Sequence, residues 1–348
     1  MRHVTVYARR GLFAGWPANN GVWSWDGREL LVGYTVGAFA EQRGHNILEP
    51  YRSLLARSTD MGETWTPEEP TLFVGADAPA HPCPAPLDLS APGLALRIEG
   101  TGYHGSDDPA GALWLSLDRG RGWQGPFTLA PAGGWPELGG LEITARTDYV
   151  VEGPRSCLVM ISARTGAFLT DRACCIRTTD GGRSFQFVGW VVPPSDPHRA
   201  VMPSTVRGAD GALVTAARRR EAGTQRCWID VYRSSDGGRT WALAGKVGDT
   251  GAGNGNPPAL ARLADGRLCC VYGERDTCRM LARYSADEGA TWSEVLLLRD
   301  DFHRDVYGDA DMGYPRLVLR DDGQLLAIYY WATHALPQQH IAATIWEP

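Results

Sequence analysis

Ser58-Thr59-Asp60-Met61-Gly62-Glu63-Thr64-Trp65 follows the skeleton Ser/Thr-x-Asp-x-Gly-x-Thr/Ser-Trp/Phe, and the chain carries that skeleton five times. The other copies run from Ser116 to Trp123, Thr178 to Phe185, Ser234 to Trp241 and Ser285 to Trp292. The second is degenerate, with Gly122 where a hydroxyl residue is expected. The aspartates fall at 60, 118, 180, 236 and 287, so the steps are 58, 62, 56 and 51 residues. Steps of that size suit a four-stranded propeller blade with its loops.

The octet, an Asp-box, has the chemistry of a turn. The carboxylate is expected to accept from backbone N–H groups two and three residues on. The glycine supplies a positive φ that a residue with Cβ reaches only at a cost. The terminal aromatic starts the next strand. Such turns sit on an outer rim, so the box has a structural role and chemistry is sought elsewhere.

Asp-Gly turns run in phase with the boxes. Asp26-Gly27, Asp210-Gly211, Asp265-Gly266 and Asp322-Gly323 each precede an apolar run, a hairpin signal. In each unit this turn joins the innermost strand to the second, and the box joins the third to the fourth. Asp322-Gly323 opens a sixth unit that has no box, with strands expected at Leu325–Trp331 and His340–Trp346. Its outermost strand is expected to be Val4–Ala8, which removes both exposed edges. The reading is all-β, a six-bladed β-propeller spanning 1–348 as a single domain, with the N-terminal strand closing the last blade. Blade two is the least regular, because Pro82, Pro84, Pro86 and Pro92 interrupt it.

Composition agrees with one large all-β domain: 348 residues, 43% hydrophobic, 42 glycines. The net charge of −6 excludes a nucleic-acid footprint, which needs a basic stripe. Lys246 is the only lysine, so each single arginine carries little information. No run approaches transmembrane length, and no membrane partner is expected. The N-terminus has no apolar signal segment, which points to the cytoplasm, or to a secreted or periplasmic protein if a signal has been trimmed. The eight cysteines form no C-x-x-C pair, and the doublets Cys174-Cys175 and Cys269-Cys270 read as core residues on opposite faces of a strand. No metal site and no cofactor are expected, and the oligomeric state is left open.

In a propeller the residues entering the innermost strands line a central cavity. Those stretches hold Trp16, a candidate stacking platform, Arg146 at 142–149, Met202, Asn256 in Gly253-Asn254-Gly255-Asn256-Pro257, and Asp309, Asp311 and Tyr314. Aromatic faces with several hydrogen-bonding groups suit a sugar.

With these motifs in register, the chain resembles the sialidase (neuraminidase) superfamily, of the bacterial Asp-box (BNR) repeat kind. In that family the nucleophilic tyrosine lies nine residues before the glycine of the sixth-blade turn, and Tyr314 stands nine before Gly323. A carboxylate-binding arginine lies seven after the fourth-blade turn glycine, as Arg218 does after Gly211. A third arginine precedes the fifth box, a part that Arg275 or Arg279 takes. The chain also departs from the pattern. Gly15-Trp16-Pro17 replaces the first arginine motif, with Arg9 and Arg10 out of register. Met202 stands where the glutamate that activates the tyrosine belongs. The blade-one loop from Glu41 to Glu49 has no acid/base aspartate.

A phenol is ionised to about one part in a thousand at pH 7, so Tyr314 needs help. Asp311 could serve as its base. Glu41, His45 or Glu49 could supply the missing acid. Within Arg218-Arg219-Arg220 alternation separates neighbours, and Arg218 is expected to face the axis with Arg219 on a solvated rim.

Three functions follow. The first is an exo-acting glycoside hydrolase on an acidic sugar, possible sialic acid included, with Arg218, Arg275 or Arg279 and Arg146 clamping the carboxylate. The second is a lyase on a uronate, in which arginines neutralise the carboxylate and Tyr314 or His45 moves protons. The third is a glycan-binding propeller without catalysis.

Overall fold

Each box folds as a tight turn whose hydrogen bonds account for its residue types. Ser58 Oγ accepts from Gly62 N at 2.8 Å and donates to Asp60 Oδ1 at 2.7 Å. Asp60 Oδ1 accepts from Glu63 N and Thr64 N at 3.1 and 3.0 Å, and Thr64 Oγ1 donates to Oδ2 at 2.6 Å. The carboxylate therefore reaches three and four residues on, rather than the expected two and three. The reason is the serine hydroxyl, which has already taken the glycine N–H. The boxes at Asp180 and Asp236 repeat these bonds, as the Asp287 box does in most part. The degenerate copy keeps its backbone half, with Arg121 N and Gly122 N on Asp118 Oδ1 at 3.0 and 2.8 Å. Bonds to the Thr291 hydroxyl and N–H hold the Asp287 carboxyl down at about 2.

The structure, a computed structural model, describes residues 1–69, 79–100, 110–140, 142–144, 146–164 and 171–348. Ala145, in the inner stretch of blade three, lies outside them. Six antiparallel sheets follow one another along the chain, the fold of a six-bladed β-propeller. Blade six has Gly313–Leu319 innermost, then Leu325–Trp331, His340–Trp346 and the N-terminal strand Arg2–Tyr7. The last of these sits two residues earlier at its start than expected, and pairs Arg2 with Ile345 and Val4 with Ala343. In blade one the inner strand is broken into Leu12–Gly15 and Val22–Trp25 around a helical turn, Pro17–Asn20. Both pieces pair with Glu29–Phe39. Blade two has three strands among the described residues, Ala95–Glu99, Ala112–Ser116 and Gln124–Thr128. The prolines ahead of them lack the N–H groups that an inner strand would give its neighbour.

Clustering of the chain gives two compact units. One comprises Met1–Glu69, Gln225–Ile229 and Gly245–Pro348; the other comprises Pro70–Thr224 and Asp230–Ala244. Within the first, Cys269, Val271, Met280 and Ala282 share a core cluster with Leu325, Ala327, Tyr329 and Trp331. Leu325–Trp331 and His340–Trp346 are buried at every position, so both strand faces are covered; the first reads as an unbroken apolar run, and the second is apolar except for His340 and Thr344. In the second unit Cys174 joins a cluster with Leu113 and Ile161, while Cys175 joins Met160 and Leu213. The doublet thus feeds two cores, one from each face. None of the eight cysteines is in a disulfide, and all are buried.

Gly122 offers a test of the turn. A Cβ there would stand 3.1 Å from Asp118 Oδ2, the oxygen that a box hydroxyl bonds in the other copies. Gly122→Thr is expected to raise stability by about 0.5–1 kcal/mol, read as a higher urea midpoint, by restoring that bond and stiffening the unfolded chain.

Candidate functional site

The innermost strand of blade six begins in a strained conformation. Tyr314 precedes Pro315 and has φ 52, and the ladder with Leu325–Trp331 slips by one residue between Gly313 and Arg316. Positive φ is costly for a tyrosine, so neighbouring groups must hold it. Asn256 does so: its Oδ1 accepts from Tyr314 N at 2.8 Å, and its Nδ2 lies 3.6 Å from Met312 Sδ. Asn256 is fully buried, closely flanked by Gly273 and Gly313. It therefore braces the tyrosine, and the substrate-contact role expected for it has no exposed surface to act through. Trp16 before Pro17 and Met202 before Pro203 have the same positive φ, 58 in both.

Around Tyr314 the first unit gathers a buried polar cluster. Asp311 is 1% exposed. Its Oδ1 lies 2.9 Å from His45 Nδ1 and accepts from Tyr330 Oη at 2.6 Å. The Tyr330 and Tyr314 rings meet edge to face at 5.9 Å. Trp16 presents its edge or face to His45 at 5.0 Å and also touches Phe13 and Tyr330. At 1% exposure Trp16 is a support beneath the histidine, not an open stacking platform. The His45 side chain keeps 18% of its surface exposed.

The blade-one loop reaches this cluster because it is tied to the segment before Tyr314. Gly44 N donates to Asp309 Oδ2 at 3.0 Å, and Asn46 Nδ2 donates to Asp305 Oδ2 at 3.1 Å. Gln42 Nε2 bonds the carbonyls of His45 and Ile47, which fixes the loop's own shape. Arg304 in turn bonds the carbonyls of Arg275 and Asp276, at 3.2 and 2.8 Å.

Charge in the cluster is balanced by these contacts. Burial alone would push the His45 imidazole down, but the Asp311 carboxylate beside it wins, and His45 is held above its ordinary 6.5. Burial would raise Asp311, yet His45, Arg275 and the Tyr330 hydroxyl hold it below its ordinary 3.8. Burial and the same carboxylate push the Tyr330 phenol well up. Arg275 interacts electrostatically with Tyr330, Tyr314 and Asp311. Its Nε and Nη2 are shielded from solvent and have no hydrogen-bond partner among the described residues, as is true of Asp311 Oδ2.

The structure thus brings together Tyr314, Asp311, His45 and Arg275, with Asn256 and Trp16 as supports. Glu49 is exposed on the strand Ile47–Ser58, and Arg279 is exposed at the start of Arg279–Ser285. Arg218 and Arg146 belong to the second unit. There Arg218 is 2% exposed, with Nη1 at 3.7 Å from Met202 Sδ, and Arg146 is part-buried. Arg219 is not on a solvated rim: it is equally buried, bonds Asp196 Oδ2 at 2.7 Å and contacts the Tyr232 hydroxyl. A sheet covered on both faces buries both neighbours of an alternating pair. Tyr330 escaped the sequence reading. Counting the hairpin back from Asp322-Gly323 brings it opposite Gly313, but only when the one-residue slip is known.

Two expectations follow. Gly313 has φ 101 and a Cβ there would stand 2.1 Å from Asn256 Oδ1, so Gly313→Ala should destabilise by about 3 kcal/mol or more in urea unfolding. The His45–Asp311 pair has a definite pH signature. With His45 raised, its contribution is complete below pH 6.5 and is lost as pH rises through the folded value. With Asp311 lowered, its contribution is complete above pH 3.8 and is lost as pH falls through the folded value. His45→Gln should therefore cost most between those limits, about 1–3 kcal/mol, and the difference from wild type should narrow at higher pH. Urea midpoints across the pH range measure this.

Comparison with known proteins gives the family and the fold. No curated protein matches this chain. A solved structure of a protein of unknown function from Dyadobacter fermentans DSM 18053 aligns with a TM-score of 0.72 at 22% identity, over 99% of this chain and 97% of that one. A Penicillium chrysogenum α-L-arabinanase complexed with arabinobiose aligns at 0.65 and 13%, over 100% and 98%. The NanB sialidase of Streptococcus pneumoniae aligns at 0.55 and 11%, over 95% and 69%. At these identities the likeness is one of fold. The model of the BNR repeat-like domain matches residues 93–327, well over half of the chain, and this protein belongs to that family.

Proposed function

We propose that this chain is a glycoside hydrolase that acts on the end of an acidic-sugar glycan, with His45 as the general acid. One observation carries the reading: a fully buried carboxylate, Asp311, holds Nδ1 of a part-exposed imidazole at 2.9 Å, next to Tyr314. That pairing fixes the ring and keeps it protonated above its ordinary range, which a proton donor near neutral pH requires. The folds shared with an arabinanase and a sialidase support glycoside cleavage.

In this reading His45 gives its proton to the leaving oxygen from Nε2, the ring nitrogen that Asp311 does not engage. Tyr314, as a phenolate whose proton has gone to solvent before the substrate binds, bonds the anomeric carbon through its oxygen as the bond to the leaving oxygen breaks. Asp311 stays ionised throughout and steadies the imidazolium. Arg275 favours negative charge on the Tyr314 oxygen and on the substrate carboxylate. Water then completes the cycle, and His45 takes its proton back.

A second reading, β-elimination from a uronate, is favoured by a specific feature. Asp311 already serves His45 and Tyr330 through one oxygen, so the cluster has no second carboxylate to act as a hydrolase pair. Arginine, tyrosine and histidine suffice for elimination: the arginine neutralises the carboxylate and the other two move the proton.

Fluorogenic sialosides, glucuronides and arabinofuranosides, each assayed with wild type, His45→Gln and Tyr314→Phe, separate these readings. The expected result is release of a reducing sugar that falls by about 100-fold or more in both variants. The rate should decline as pH rises through the raised value of His45. An unsaturated uronate as product would replace hydrolysis by elimination. Turnover untouched by both substitutions would remove the cluster from the chemistry.

A further inference from the structure

A cavity of about 490 Å³ lies in the first unit, lined by the stretches 8–12, 39–41 and 335–340. Its wall carries Arg9, Arg10 and Glu41, with Phe39 and Leu336 as apolar surface and Gln339 and His340 as buried polar members. Neither Arg9 nor Arg10 makes an ion pair among the described residues, whereas Arg2, Arg28, Arg52 and Arg57 of the same unit do; Arg9 interacts with the Tyr7 hydroxyl. Gln339 is 3% exposed. Its Nε2 donates to the Asp311 carbonyl at 3.3 Å, while its Oε1 is buried with no hydrogen-bond partner among the described residues. Buried amide oxygens are normally satisfied, so this one is set to accept from a group that enters the cavity. The walls are preformed: Gly11 N donates to Gln338 Oε1 at 2.8 Å, and Ala14 N donates to Gln339 O at 2.9 Å.

Two arginines outside any ion pair among the described residues, an unsatisfied acceptor and an apolar wall describe a particular kind of ligand. It has an anionic group, hydroxyl donors and a face with few polar atoms, which is the chemistry of a sugar bearing a carboxylate or a sulfate. The cavity also has a definite relation to the site. The loop that supplies Phe39 and Glu41 continues to His45, and Gln339 touches the backbone of Asp311. A general acid stands on the leaving-group side of the bond it cleaves. We infer that this cavity is the leaving-group subsite and that it binds an anionic sugar unit. The inference rests on the hydrolytic reading for its place in the reaction, but binding in the cavity stands without it.

The test measures binding apart from turnover. Titration calorimetry of D-glucuronate, glucose 6-sulfate and glucose is run on wild type, His45→Gln and the double variant Arg9→Ala/Arg10→Ala, whose altered residues are both exposed. The expected result is salt-sensitive binding of the two anions to wild type and His45→Gln, weakened at least tenfold in the double variant, with glucose bound at least tenfold more weakly. Carboxylate and sulfate are distinguished by which probe binds more tightly. In turnover of an acidic oligosaccharide the double variant should raise KM about tenfold at unchanged kcat. Equal binding in wild type and the double variant overturns the inference, as does equal affinity for glucose. If the anions bind in this way while no glycoside is cleaved, the cavity assignment holds and the hydrolytic reading fails.

Discussion

A carboxylate with 1% of its surface exposed cannot stand alone, and much of the first unit is arranged around that fact at Asp311. An ionised group taken out of water destabilises a protein by several kcal/mol unless it is paired and hydrogen-bonded. Here the partners are His45, Tyr330 and the nearby Arg275. His45 comes from a blade-one loop that has little apolar surface of its own to hold it in place. The loop stays because Gly44 and Asn46 are bonded to Asp309 and Asp305, on the same segment that carries Asp311. Electrostatic demand at one atom is thereby converted into the position of a whole loop, and that position puts an imidazole at the edge of the cluster.

The bulge at Tyr314 is the second constraint. Trp16, Met202 and Tyr314 each precede a proline and each have positive φ, in blades one, four and six. The same backbone device is thus used three times with three different side chains. In blade one the side chain supports His45 from below; in blade six it faces Tyr330; in blade four Met202 meets Arg218 through its sulfur. The repeat of a propeller supplies equivalent places, and each place is then filled independently. Independent filling also accommodates Met202 at a place where the sialidase pattern has a glutamate.

What could be read from the sequence follows the range of the interactions. The box turns are local: every bond spans two to four residues, so Ser58, Asp60, Gly62 and Thr64 announce the turn by themselves. The strands Leu325–Trp331 and His340–Trp346 are equally plain, because both faces are buried and the residues are almost all apolar. Tyr314 was found by its distance from a turn glycine. Its brace, Asn256, sits in a Gly-Asn-Gly-Asn-Pro loop whose place before an inner strand suggests substrate contact, and only a partner 58 positions away reveals the bracing role. His45 and Asp311 are 266 positions apart, and nothing local to either one predicts the other. Arg219 failed for a simpler reason: alternation assigns faces, but it does not say that one of them is wet.

In the mechanism proposed above, a histidine pair stands in for the carboxylic acid of the sialidase pattern, and that would change what the site accepts. A carboxylic acid that gives up its proton leaves an anion behind, and so raises the negative charge facing the sugar. His45 gives up its proton from a cation and becomes neutral, while Asp311 remains an anion before and after. With Arg275 present, the cluster of His45, Asp311 and Arg275 starts with one net positive charge and passes to neutrality as the leaving group is protonated. A substrate that carries its own negative charge is then held most firmly before the bond breaks and released more easily afterwards. Neutral sugars gain nothing from that change. Under that mechanism the charge arrangement of these three residues would favour an acidic substrate on its own, without the arginine motif that is missing before blade one.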